Sequence, residues 1–252
     1  MAKYRQAIVF TLCLLPLAIA AGIFVCLYQF EMLPADIMNE AIAQLGSREL
    51  LIVIASVQTA AYALVCGFFG CIMAEKLGLW MSFRIEIKSL AITLAISIVG
   101  GAVFSLDYWV FGGIIDGVKS AAAESLTAKS IIASVLYGGI IEEVMLRLCV
   151  MSLIALGLWK IFYKGHEREN IPTRVFVIAN IVAAMLFAAL HLPATMLTFG
   201  SLSGIILFRC FLLNGGFGLI FGFIYRKYGI LYAMIAHALF HIVCKLIWFI
   251  FI

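Results

Sequence analysis

The sequence predicts an all-α fold, a polytopic transmembrane helical bundle with seven to eight spanning helices. Three observations point there. Of 252 residues, 65% are apolar and 12% charged, whereas ordinary soluble domains are about 45–50% apolar and about 25% charged. Mean hydropathy is +1.17, and apolar runs of about 18 residues or more, each long enough to cross a bilayer, recur along the whole length. Charge, finally, is sorted by loop. Lys3 and Arg5 precede the first run, and Lys76, Arg84 and Lys88 separate the second from the third. Lys160, Lys164, Arg168 and Arg174 lie between the fourth and fifth, and Arg226 and Lys227 precede the last. The alternate loops hold Arg48, Lys119 and Lys129 among Glu31, Asp36, Glu40, Glu49, Asp116 and Glu124. Basic loops mark the cytoplasmic side, so the N-terminus is expected inside and the C-terminus outside.

Taken in order, spans are expected at 7–28, 50–73, 89–112, 131–159, 175–197, 204–225 and 230–252. The first begins beside basic residues and contains Ala18-Ile19-Ala20, similar to a signal-peptidase site. Its apolar run continues through Tyr28, too long for a signal sequence, so it is read as an uncleaved span. The fifth contains Pro193, which lacks the N–H a helix interior needs, and Gly200, Ser201, Ser203 and Gly204 follow. The sixth contains Arg209 and an apparent break at Asn214-Gly215-Gly216, so the stretch from His191 to Tyr225 reads either as one span with a bent entry or as a short helix plus a span, giving eight elements in all. Gly218 and Gly222 then form a G-x-x-x-G spacing that lets helix backbones approach. Seven cysteines with no C-x-x-C pair exclude a disulfide framework. Residues 1–252 read as one membrane-embedded domain, with three N-terminal spans in 1–130 and a motif-bearing catalytic core in 131–252. The expected partners are the lipid bilayer and a hydrophobic or lipidated peptide, not nucleic acid; a homodimer stays open.

Polar groups inside the spans are few: Gln58, Glu142, Glu143, Arg147, Asn180, His191, His237 and His241, with Lys245 near one end. A charge at the centre of a spanning helix costs about 2.5–3.5 kcal/mol on insertion scales, so such residues are functional candidates. Glu143 and Arg147 stand one turn apart and share a face, which suits an internal ion pair. Glu142 points about 100° away with no partner on its own helix. The pair reads as a structural clamp and Glu142 as a reactive carboxyl. The plainer reading is that all three charges only hold helices together.

Phe187 and His191 share a face of the fifth span, and Asn180 lies three turns earlier at nearly the same angle, so Phe187 and Asn180 are expected to line a substrate site. His237 and His241 repeat the one-turn spacing on the last span and suit either a metal site or a packing pair. A carboxylate beside imidazoles in a low-dielectric site can hold and deprotonate a water, and the remaining imidazoles can donate to a developing oxyanion. That inventory suits peptide-bond hydrolysis by water. No serine or cysteine has an evident base partner, which disfavours a covalent nucleophile.

Glu142-Glu143-Val144-Met145-Leu146-Arg147 fits E-E-x-x-x-R, Phe187 to His191 fits F-x-x-x-H, and His237 opens an H-x-x-x-N/D motif. Three such motifs in order on successive spans resemble the CPBP family, the CAAX protease and bacteriocin-processing membrane proteins also called Abi. The resemblance covers roughly Ile131 to Cys244. It implies an intramembrane glutamic endopeptidase, similar to type II CAAX prenyl endopeptidases, that needs no metal. Glu142 and His191 would activate water, and His237 with the fourth position of the third motif would hold the oxyanion. Here that position is His241 rather than Asn or Asp. The departure keeps a zinc reading open, with His191, His237, His241 and Glu142 as ligands.

The function expected is therefore endopeptidase cleavage of a membrane-associated or lipidated peptide, without a cofactor. The competing readings are a non-catalytic bacteriocin-immunity or regulatory scaffold, a zinc protease and a proton-coupled transporter. With no targeting sequence, lipidation motif or soluble appendage in the chain, a bacterial plasma membrane is the expected location. One geometric condition follows. At about 1.5 Å per residue, straight helices leave Glu142 and His241 near mid-membrane with His191 and His237 on either side of it. Convergence requires tilt, the break near Pro193 or different span ends.

Overall fold

In lipid, backbone N–H and C=O groups must be satisfied within the segment itself, so each apolar run folds as a helix. The computed structural model describes residues 4–81 and 85–252; Lys3 and Arg84 of the charge pattern lie outside them. Among the described residues, seven helices are long and apolar enough to cross a membrane: Arg5–Met32, Arg48–Leu77, Ile87–Val110, Ala128–Phe162, Thr173–Phe199, Gly204–Tyr228 and Ile230–Phe251. The protein is an integral, multi-pass all-α membrane protein. Local signals set the span ends. The Ser47 hydroxyl accepts from the Leu50 N–H at the start of the second span, and Gly78 closes it in the left-handed conformation. The Thr127 hydroxyl caps the fourth through the Ser130 N–H. A short helix, Ala35–Leu45, joins the first two spans.

Three spans that carry site residues or lie against them depart from regular helix. The fourth is π-helical over Ser134–Glu142 and Val144–Met151, on either side of Glu143; such wide turns are concentrated at functional sites. The fifth bends at His191, which separates Thr173–Leu190 from Leu192–Phe199. Pro193 falls in the first turn of the second piece, where its missing N–H is not needed. The sixth does not break at Asn214-Gly215-Gly216. Phe211–Gly215 is instead a π-helical turn inside a continuous span. A true break would strand backbone groups in lipid, whereas a wide turn keeps them bonded. Seven helices span among the described residues, and the short helix between His191 and the sixth span is Leu192–Phe199, which continues the fifth span beyond its bend.

One core cluster takes in residues from both parts of the chain, from Ala7 and Leu14 through Leu148 and Ala179 to Phe240. The first span packs on the second, the second on the fourth, and the third on the seventh. Gly218 and Gly222 bring the sixth span onto the fifth. A Cβ added at Gly218 would stand 3.2 Å from the Ala184 Cβ, and one at Gly222 would collide with Asn180. Arg209, unexplained by its apolar surroundings, donates to both carboxylate oxygens of buried Asp107, at 2.7 and 2.5 Å. Buried Lys245 donates to the Ser125 carbonyl at 2.9 Å and the Ser130 hydroxyl at 2.8 Å. All seven cysteines are free.

Candidate active site

Glu143 is fully buried, and each of its carboxylate oxygens faces one cationic or donor group. Oε2 lies 3.5 Å from Arg147 Nε, the expected one-turn ion pair. Oε1 accepts from His237 Nδ1 at 2.9 Å. Glu143 therefore does more than clamp its own helix, because it also fixes the tautomer and ring plane of a histidine on the seventh span. Arg147 extends the network. Its Nη2 donates to the Gly218 carbonyl at 3.1 Å, and its guanidinium lies 4.6 Å from the Phe187 ring centroid. One arginine thus ties the fourth span to the fifth and sixth, using a cation–π contact where no further anion is present.

His237 is stacked on Phe221 at 4.3 Å with planes 20° apart, and its Nε2 faces His241 Nε2 at 3.1 Å. Only one proton fits between two imidazole nitrogens at that distance. Either His241 donates to a neutral His237, or a doubly protonated His237 paired with Glu143 donates to His241. His191 is held differently. Its Nδ1 lies 2.8 Å from the Phe187 carbonyl, which can only accept, so Nδ1 carries a proton, and in the neutral ring Nε2 keeps its lone pair. Glu142 is half-buried and, among the described residues, makes none of the hydrogen bonds or ion pairs that hold Glu143.

Glu142, His191, His237 and His241 line a single cavity of about 450 Å³, with Phe187 in its wall. The condition on convergence is met, with a bend at His191 on the fifth span and wide turns on the fourth. Gly138 and Gly139, directly before the glutamates, make it sterically possible. A Cβ at Gly138 would stand 2.9 Å from His241 Nε2 and 3.8 Å from Glu142 Oε2, so these two groups flank one hollow. A Cβ at Gly139 would stand 2.7–3.0 Å from the Cβ, Cα and N atoms of Ala238. We expect Gly139→Val to force the fourth and seventh spans apart at a cost of about 1–3 kcal/mol, as overpacking does. Thermal unfolding in detergent measures this, and a wild-type midpoint would remove the close contact as a requirement.

Asn180 corrects the sequence expectation. It does not line the cavity; its Nδ2 donates to the Leu219 carbonyl at 2.9 Å on the face packed against the sixth span. Facing nearly the same way as His191 was not enough, because the helix ends at Leu190 before His191 turns into the cavity. Phe221, Tyr137 and Asn214 line the cavity without having been expected. Phe221 had one signal, its place between Gly218 and Gly222 on the interhelical face. The larger cavity, about 1180 Å³ between the first and seventh spans, holds none of the site residues. Among the described residues, no three His, Cys, Asp or Glu side chains are grouped to hold a metal ion. The zinc set of His191, His237, His241 and Glu142 shares the cavity without forming such a group.

Fold and site together define a class: a multi-pass helical membrane protein in which one carboxylate and three imidazoles line a single cavity. Residues 124–243, which contain all three motifs, match the family model described as type II CAAX prenyl endopeptidase Rce1-like. The match agrees with the CPBP resemblance drawn from the motifs. The matched family is a protease family, which supports a peptidase. Among curated proteins and solved structures, no match to the chain was found.

Proposed function

We propose that the protein is an intramembrane endopeptidase that cleaves a hydrophobic or lipidated peptide with a water activated by Glu142 and His191. The observation that carries this reading is the meeting of Glu142, His191, His237 and His241 around one cavity. The Glu142 carboxylate takes a proton from water as the oxygen attacks the scissile carbonyl carbon. His191 Nε2 accepts a hydrogen bond from the same water and holds it in line. The new oxyanion receives the N–H shared by His237 and His241, which Glu143 and Phe221 keep in place. Collapse breaks the C–N bond, and the proton on Glu142 passes to the leaving nitrogen. No cofactor enters this sequence. The charge asymmetry of the loops supports a cytoplasmic N-terminus.

The test compares peptide termini in membranes holding the wild type or Glu142→Gln at matched abundance. Termini produced only by the wild type support proteolysis and identify a substrate. Identical termini from two folded proteins would favour the bacteriocin-immunity or regulatory scaffold, in which the same buried residues hold the bundle together. His241 gives a second expected outcome. Asn can still donate to an oxyanion, so His241→Asn should keep cleavage, whereas His241→Ala should lower its rate by about 10²–10³, as loss of one oxyanion donor does. Equal rates for the two variants would remove His241 from the oxyanion site.

A further inference from the structure

Resting on the peptidase reading, we infer that Asn214 is a substrate-binding residue whose side-chain oxygen accepts a backbone N–H of the peptide near the bond to be cleaved. A peptide brings more than its scissile carbonyl into the cavity. Each backbone N–H that leaves water for an apolar enclosure without an acceptor weakens binding. His237 and His241 face the oxyanion, and Glu142 and His191 are engaged with the water, so a peptide N–H needs its acceptor elsewhere. The lining holds two side-chain amides, Gln29 and Asn214. Asn214 is the one fixed in place. Its Nδ2 donates to the Cys210 carbonyl at 3.0 Å, whereas the Gln29 side chain has no such bond among the described residues.

A carbonyl can only accept, so the amide nitrogen is the atom turned toward Cys210, and Oδ1 is the atom left over. Among the described residues Asn214 Oδ1 accepts no hydrogen bond, yet it is not walled in, whereas the Oδ1 of Asn180 is enclosed without a partner. An open acceptor on a half-buried residue of the cavity wall is what a ligand N–H requires. The backbone brings it there. Asn214 stands on the π-helical turn Phe211–Gly215, a wide turn of the kind concentrated at functional sites. Its neighbour Gly215 closes on the fifth span, where an added Cβ would stand 2.9 Å from Met185 Cε and 3.7 Å from the Ala188 Cβ. Asn214 is also joined to the bend at His191. Thr195 Oγ1 donates to the His191 carbonyl at 2.8 Å and lies 3.7 Å from Cys210 Sγ, and Asn214 Nδ2 lies 3.5 Å from the same sulfur. Cys210 thus sets the spacing between the acceptor and the imidazole that holds the water. An amide held in advance also loses less freedom when a peptide binds.

The test uses the full chain in detergent and a set of fluorescent peptides of apolar sequence, made with and without a farnesyl group, each backbone amide being N-methylated in turn. Asn214→Leu keeps the size of the side chain and removes the acceptor. We expect it to raise KM by about 10–100-fold, the loss that follows when a buried N–H is left unpaired. With kcat held near wild type, the lost contact is one of binding and not of chemistry. Methylating one particular amide should raise the wild-type KM similarly, and on that peptide Asn214→Leu should be no worse than wild type. An unchanged KM, or a loss that no methylation absorbs, would overturn the inference and leave Asn214 only a partner of the Cys210 carbonyl. Should Asn214→Leu fail to fold, the methylation scan on the wild type decides: a protein indifferent to every methylation holds no peptide N–H. Binding of the same peptides to Glu142→Gln, read by fluorescence anisotropy, separates this inference from the reading beneath it. Saturable binding that Asn214→Leu weakens by the same factor, with no cleavage by the wild type, retires the peptidase and keeps the acceptor. Cleavage with an unchanged KM does the reverse, and neither binding nor cleavage retires both.

Discussion

Glu142→Gln is expected to lower peptide release by about 10²–10⁴, the contribution of a positioned general base, while abundance and thermal midpoint stay at wild-type values. The substitution keeps size and shape and removes only the ability to take a proton from water. The fold does not depend on that carboxylate, because Glu142 makes no ion pair and no hydrogen bond among the described residues, whereas its neighbour Glu143 is fully buried and bonded on both sides. Glu143→Gln makes the informative comparison. Its amide oxygen can still accept from His237, but Arg147 loses its counter-charge, so stability should fall along with rate. Single-turnover cleavage and thermal unfolding on the two variants separate the roles. Undiminished cleavage by Glu142→Gln would sink the mechanism.

The spans were legible in the sequence because lipid imposes one rule on the backbone, and long apolar runs obey it in a single way. The Glu143–Arg147 pair was legible for a similar reason, since one-turn spacing survives the widening of the helix around it. What regular periodicity could not show was irregular backbone. The π-helical turns that flank Glu143, and the bend that ends the fifth helix before His191, have no apolar signature of their own. For that reason a face drawn through Asn180 and His191 placed Asn180 in the cavity, whereas it packs on Leu219. The same limit hid the link between Glu143 and His237, because contacts between residues 94 apart depend on how spans dock and not on spacing within either. The glycines beside the glutamates were visible, but only docking shows that Ala238 and His241 need the room.

Arg147→Ala is expected to destabilise the protein by about 3–5 kcal/mol, the cost of removing one partner from a buried ion pair, and so to deplete it from membranes. Three losses act together. Glu143 keeps His237 but loses its cation, the Gly218 carbonyl loses a donor, and the Phe187 ring loses the guanidinium packed over it. Charge can be separated from space by a double substitution. Arg147→Met with Glu143→Gln removes both charges, fills most of the volume and leaves an acceptor for His237 Nδ1. Replacing a whole buried pair by groups of similar volume is often neutral or stabilising, so the double variant should recover abundance that Arg147→Ala loses. Its cleavage should stay below wild type, because an amide oxygen holds an imidazole less firmly than a carboxylate does. An Arg147→Ala protein of normal abundance and thermal midpoint would show that the three spans stand without the arginine.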